Sequence, residues 1–107
     1  MAAAPTRLTA DERAAHVAAL LASSRPWTIG DGHGRDVLRK EFVFASHAEA
    51  IAFLVRLAME ADVRNHHPEY EGCYNRLTVT WTTHACGGIS MLDVDMANFS
   101  DKVGPPM

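Results

Sequence analysis

Apolar positions along this chain switch between helical and alternating spacing, and the switches divide it into elements. After seven unpatterned residues, Ala14, Val17, Leu20 and Leu21 share one face, which predicts a helix from near Thr9. Thr9-Ala-Asp-Glu12 has the form of a capping box, a hydroxyl at the cap and a carboxylate three residues on. Pro26 closes that helix, because proline cannot continue one comfortably. Trp27–Ile29 then reads as a short strand, the glycines of 30–34 as a turn, and Val37–Phe44 as the returning strand of a hairpin. Leu38, Phe42 and Phe44 share one parity of that strand, with Lys40 as the exception.

The strongest helical signal follows. Ser46-His-Ala-Glu49 repeats the capping pattern, and Ile51, Leu54, Val55 and Ala58 form a stripe with Phe53 and Leu57 beside it. This predicts the main core helix, ending at Val63 or Arg64. Asp62 shares a face with residues 51, 55 and 58, so an apolar stripe ends in a carboxylate. Asn65–Pro68 reads as a loop, Glu69–Cys73 as a third strand and Tyr74–Asn75 as a turn. From Arg76 to Thr83, Leu77, Val79 and Trp81 alternate with Thr78, Thr80 and Thr82, which predicts a half-buried strand. His84 ends it on the threonine parity. Cys86-Gly-Gly88 is a break, and Ser90 to about Lys102 is a last helix with Leu92, Met96, Phe99 and Val103 on one side.

Helix, hairpin, helix, two strands, helix is the order of an α+β fold, with helices on one face of an antiparallel sheet. Residues 1–7 are expected to be a flexible tail and 8–104 a single domain. The second sheet face, short and polar on the last strand, faces solvent or another subunit.

Composition narrows the function classes. The chain of 107 residues is 48% hydrophobic and 21% charged, the balance of a soluble globular protein. A formal net charge of −3 argues against a non-specific nucleic-acid binder. Cys73 and Cys86 are the two cysteines; they form no Cys-x-x-Cys pair, and free thiols fit a reducing compartment. No run approaches the roughly 18 apolar residues of a membrane span, and the start lacks the basic flank and apolar core of a secretion signal. A cytoplasmic protein is expected.

The candidate chemistry lies in His66, His67 and His84. A post-helical loop stiffened by Pro68 can present adjacent imidazoles to one pocket, and His84 can join them if strand end and loop are neighbours. Imidazole suits proton transfer near neutral pH. Asp62, Glu69 and Asp93 are the candidate carboxylates that would fix a ring's tautomer. Asp93 also fits as the capping partner of Ser90, and the histidines as ordinary loop and strand-end residues. A metal site is not expected, since His-x-x-x-His spacing is absent.

The segment Asp62-Val-Arg-Asn-His66-His67-Pro68-Glu69-Tyr70, continued through Tyr74-Asn75-Arg76 and Thr83-His84-Ala-Cys86-Gly-Gly-Ile-Ser90-Met-Leu-Asp93, resembles the pterin-4a-carbinolamine dehydratase family. Leu8–Arg13 resembles that family's opening helix, and Trp27 with Leu38–Phe42 its first hairpin, so the likeness runs from about Leu8 to Val103. Asp62 stands where glutamate is usual, and Tyr70 where tryptophan is common. The resemblance implies a four-stranded antiparallel sheet with helices on one face, assembled as homodimers or homotetramers. It implies dehydration of 4a-hydroxytetrahydropterin to quinonoid dihydropterin, in support of an aromatic amino-acid hydroxylase, with no metal or organic cofactor. It makes His66 and His84 the acid–base pair and His67 a substrate-binding residue. Asp62 and Asp93 would orient the histidines, and Pro68 would hold the loop. On this view His66→Ala strongly reduces activity while the fold survives. Family members with a role in molybdopterin metabolism, or as dimerisation cofactors of a homeodomain transcription factor, are the alternatives.

Overall fold

The computed structural model describes residues 4–105. Its elements are α1 (Ala10–His16), α2 (Ala18–Ala22), β1 (Thr28–Gly32), β2 (Arg35–Val43), α3 (His47–Arg64), β3 (Glu69–Cys73), β4 (Arg76–Trp81), a 3-10 turn (His84–Cys86) and α4 (Met91–Val103). The four strands form one antiparallel sheet in the order β1-β2-β4-β3. Leu38, Phe42, Leu77, Val79 and Trp81 point from its central strands into a core closed by Val17, Leu20, Phe53, Leu57, Val94, Met96 and Ala97 of the helices. Sheet and helices therefore make two layers, the expected α+β architecture.

The caps explain the helix starts. Thr9 accepts from the Glu12 N–H, and the Glu12 carboxylate accepts from the Thr9 N–H. Ser90 and Asp93 make the same exchange at α4. At α3 only half of the expected box forms. Ser46 accepts from the Glu49 N–H, while the Glu49 carboxylate takes the N–H of Ala45 instead.

Three expectations are corrected. The first helix is interrupted at Val17, which is buried between α1 and α2. The hairpin turn is tighter than the glycine run suggested: β1 and β2 continue to Gly32 and Arg35, and only His33 and Gly34, both at positive φ, make the reversal. Most importantly, α3 buries Ala50, Phe53, Leu57 and Ala61, whereas Ile51 and Val55 are exposed. This helix is apolar nearly all round, so its periodicity could not choose a face. The sheet chose the one carrying Phe53, whose ring packs against Phe42 and Phe44 at centroid distances of 4.8 and 5.1 Å. Asp62 therefore ends an exposed stripe, not a core one.

No helix among the described residues is long and apolar enough to cross a membrane.

Candidate active site

The C-terminus of α3 aims the first histidine. Asn65 adopts the left-handed conformation at φ 51°, and its N–H bonds the Asp62 carbonyl at 3.4 Å while the His66 N–H bonds the Ala61 carbonyl at 3.0 Å. This is a Schellman ending, with asparagine where glycine is commoner. It turns the chain sharply, so that His66 goes inward and His67 outward. His66 lies over Trp81, ring centroids 5.8 Å apart and planes 21° from parallel. Its Nε2 meets Asp93 Oδ1 at 2.6 Å.

Asp93 is wholly buried, and each of its oxygens is occupied. Oδ2 accepts from the Thr83 hydroxyl at 2.7 Å and from the Ser90 N–H at 2.9 Å. The Ser90 hydroxyl closes the network on Thr83 Oγ1 at 2.7 Å. A carboxylate only accepts, so the His66 ring carries a hydrogen on Nε2, and in the neutral ring Nδ1 is then the lone pair. Asp93, read from sequence as a cap or as a histidine's partner, makes both contacts with the same side chain.

His67 pairs with Asp62 at 3.0 Å, both well exposed. His84 does not end β4. The strand stops at Trp81, Thr83 bridges to Gly88, and His84 opens the 3-10 turn beyond. Its Nε2 lies 3.0 Å from Arg35 Nη2 and 3.5 Å from Glu69 Oε2. Each candidate carboxylate thus stands beside a different histidine. Arg35 was not singled out in the sequence, because only pairing of β2 with β4 brings it near residue 84.

His66, His67 and His84 line one cleft of about 870 Å³. Arg64, Asn65, Thr82, Thr83, Ala85, Ser90–Leu92 and Asp95 line it with them, and the N-terminal segment and α1 contribute Ala4–Thr6, Leu8 and Glu12 on the other side. Asp62, Pro68 and Asp93 do not line it; Asp93 stands behind His66, and Pro68 follows His67 half-buried.

A second carboxylate fastens the two sides together. Asp36 of β2 accepts from Arg13 and, at 3.2 Å, from Arg7. It also takes the Ile89 N–H at 3.3 Å, and the Leu8 N–H bonds the Ile89 carbonyl at 2.9 Å. Burial pushes the Asp36 carboxyl up, but the Arg13 hydrogen bond and charge, the Arg7 charge and the Ile89 N–H outweigh it and hold the group below its usual value of 3.8. Gly88 leaves room for this clamp, since a Cβ there would collide with the Asp36 carboxylate and lie 2.7 Å from Arg7 Nε. Asp36, Arg7 and Arg13 were also unmarked in the sequence; nothing in their spacing links residues so far apart.

The chain is similar to several known proteins. Residues 6–103 match the family model described as pterin 4 alpha carbinolamine dehydratase. Curated relatives from Burkholderia pseudomallei and Burkholderia mallei, provisionally named pterin-4-alpha-carbinolamine dehydratase, are 39% identical over 98 residues, covering 92% of this chain and 91% of theirs. The crystal structure of a transcriptional coactivator/pterin dehydratase from Brucella melitensis superposes with a TM-score of 0.79 at 31% identity, over 94% of this chain and all of the other. A pterin dehydratase-like protein identified as a RuBisCO assembly factor in the alpha-carboxysome shares the fold, with a TM-score of 0.62 at 22% identity over 76% of this chain and 92% of the other.

Proposed function

The chain belongs to the pterin 4 alpha carbinolamine dehydratase family, and from that premise we propose that it dehydrates 4a-hydroxytetrahydropterin to quinonoid dihydropterin. The carrying observation is that three imidazoles line one cleft of a size suited to a small bicyclic ligand. The reaction breaks the C4a–O bond and the N5–H bond, forms C4a=N5 and releases one water. It needs an acceptor for the N5 proton and a donor for the departing oxygen. His66 Nδ1, with its ring hydrogen committed to Asp93, is the acceptor. His84 serves the leaving oxygen, and His67, exposed at the rim, binds the ring system. Asp93 orients His66, Asp62 orients His67, and Pro68 restricts the loop that carries them. None of these steps calls on a metal or an organic cofactor.

The physiological setting follows the same reading: tetrahydropterin recycling in the cytoplasm beside an aromatic amino-acid hydroxylase. The free thiols of Cys73 and Cys86 suit a reducing compartment. The exposed stripe of Ile51, Val55, Met59 and Val63 supports self-association as a homodimer or homotetramer. The same stripe favours a protein-binding role as the second reading.

A coupled hydroxylase assay tests the proposal. Purified protein is expected to accelerate carbinolamine dehydration, and chelators to leave the rate unchanged. No acceleration by the wild type overturns the enzymatic reading. Light scattering that finds a monomer overturns the self-association.

A further inference from the structure

We propose that Arg35 is a positioning residue that fixes the tautomer of His84, and that this makes His84 the hydrogen-bond donor opposite His66. The inference about catalysis rests on the dehydration reading; the inference about the tautomer does not.

His84 Nε2 has two neighbours of opposite kind. Arg35 Nη2, from β2, is 3.0 Å away; Glu69 Oε2, from β3, is 3.5 Å away. A guanidinium can only donate and a carboxylate only accept, so one ring nitrogen cannot serve both. Distance decides between them: 3.0 Å lies within the range of an N–H···N or N–H···O bond, and 3.5 Å lies outside it. Nε2 therefore accepts from Arg35, and the neutral ring carries its hydrogen on Nδ1.

The anchoring is unequal in a way that suits this role. His84 is exposed, but the Arg35 side chain is largely buried, so the donor is held and the imidazole is positioned against it. Arg35 Nε is buried with no hydrogen-bond partner among the described residues. An unpaired buried donor costs stability. The arginine keeps it while its terminal nitrogen reaches His84 and, at 3.6 Å, faces Glu69.

The two rings then present complementary nitrogens. His66 donates through Nε2 to Asp93 and offers a lone pair at Nδ1; His84 accepts at Nε2 and offers Nδ1–H. A carbinolamine requires this asymmetry, since N5–H needs an acceptor and the 4a-oxygen a donor. A neutral imidazole can polarise the departing oxygen in this way without first being protonated, and the proton that completes the water is the one His66 Nδ1 takes from N5. Glu69 supplies the alternative state. With Arg35 removed it becomes the remaining charged partner of Nε2, and the ring should flip to Nε2–H.

Nitrogen-15 NMR of the histidines at about pH 8.5, above the ordinary imidazole value near 6.5, tests this directly. In the wild type, His84 Nε2 is expected to be pyridine-like and Nδ1 pyrrole-like. Arg35→Met is expected to reverse the pattern and to lower kcat about tenfold, part of the roughly 10²–10⁴-fold a positioned proton donor contributes, with KM within about twofold. Arg35→Lys, which keeps a donor, is expected to restore part of both. A pyrrole-like Nε2 in the wild type overturns the tautomer whether or not any variant folds. A folded Arg35→Met with unchanged kcat in an active enzyme overturns the positioning role. An inactive wild type counts against dehydration, and the wild-type spectrum still decides the tautomer.

Discussion

His66 and His67 are neighbours in the chain, and each hydrogen-bonds an aspartate, yet they belong to different physical regimes. At the back of the cleft the His66 and Asp93 side chains are 9% and 0% exposed; at the rim His67 and Asp62 are 57% and 81% exposed. Behind His66 every polar atom is accounted for by Thr83, Ser90 and the ring itself, and water cannot replace a lost partner. At the rim solvent offers a substitute for each bond, so the pair is worth little by itself. The same residue pair thus sets a fixed tautomer in one place and leaves an adaptable contact in the other. Asp36 lies between the extremes, its side chain 17% exposed and shared among Arg7, Arg13 and the Ile89 N–H.

The largest effect expected from this contrast is at the back wall. Asp93→Ala strands His66, the Thr83 hydroxyl and the Ser90 N–H, and should cost about 3 kcal/mol, read as a fall in urea midpoint together with loss of dehydration. His66→Gln should lower kcat by roughly 10²-fold, whereas His67→Gln should mainly raise KM. Steady-state kinetics that show the two variants alike would erase the distinction between wall and rim. His66→Ala is a poorer probe than the sequence suggested. It also leaves Asp93 facing an empty space, so its effect on folding must be measured alongside its effect on rate.

Intermediate effects belong to the Asp36 clamp. Gly88→Ala should cost about 2 kcal/mol, because its methyl group displaces the carboxylate that joins the two sides of the cleft. Since Asp36 is held below its ordinary value of 3.8, the stability it contributes is fully present above that value and disappears as pH falls through the lower folded value. Melting temperature followed between about pH 2 and pH 6, a range bracketing ordinary carboxylates, should therefore fall less steeply on the acid side in Asp36→Asn. Parallel acid limbs would remove Asp36 from the clamp. The smallest effect is expected at the rim, where Asp62→Asn should change stability by less than about 0.5 kcal/mol. A urea titration giving Asp62→Asn the same cost as Asp93→Ala would break the comparison outright.

What the sequence alone could determine was local. Caps at Thr9, Ser46 and Ser90, the alternation of Leu77, Val79 and Trp81 with threonines, and the His-His-Pro loop were all legible, because each depends on interactions a few residues apart. The family motif also brought His66, His67, His84 and Asp93 into consideration together. Burial was decided only by the tertiary structure. On α3 two apolar stripes competed, and contact with Phe42 and Phe44 selected Phe53 over Ile51 and Val55. Asp62 and Asp93 looked equivalent as candidate carboxylates until the chain turn at Asn65 sent one histidine in and the other out. Arg35 and Asp36 became visible only when β2 paired with β4, since their partners there, His84 and the Ile89 N–H, lie dozens of residues away in the chain. Periodicity reports which residues share a face, but the dielectric around each group depends on what the rest of the chain places over it.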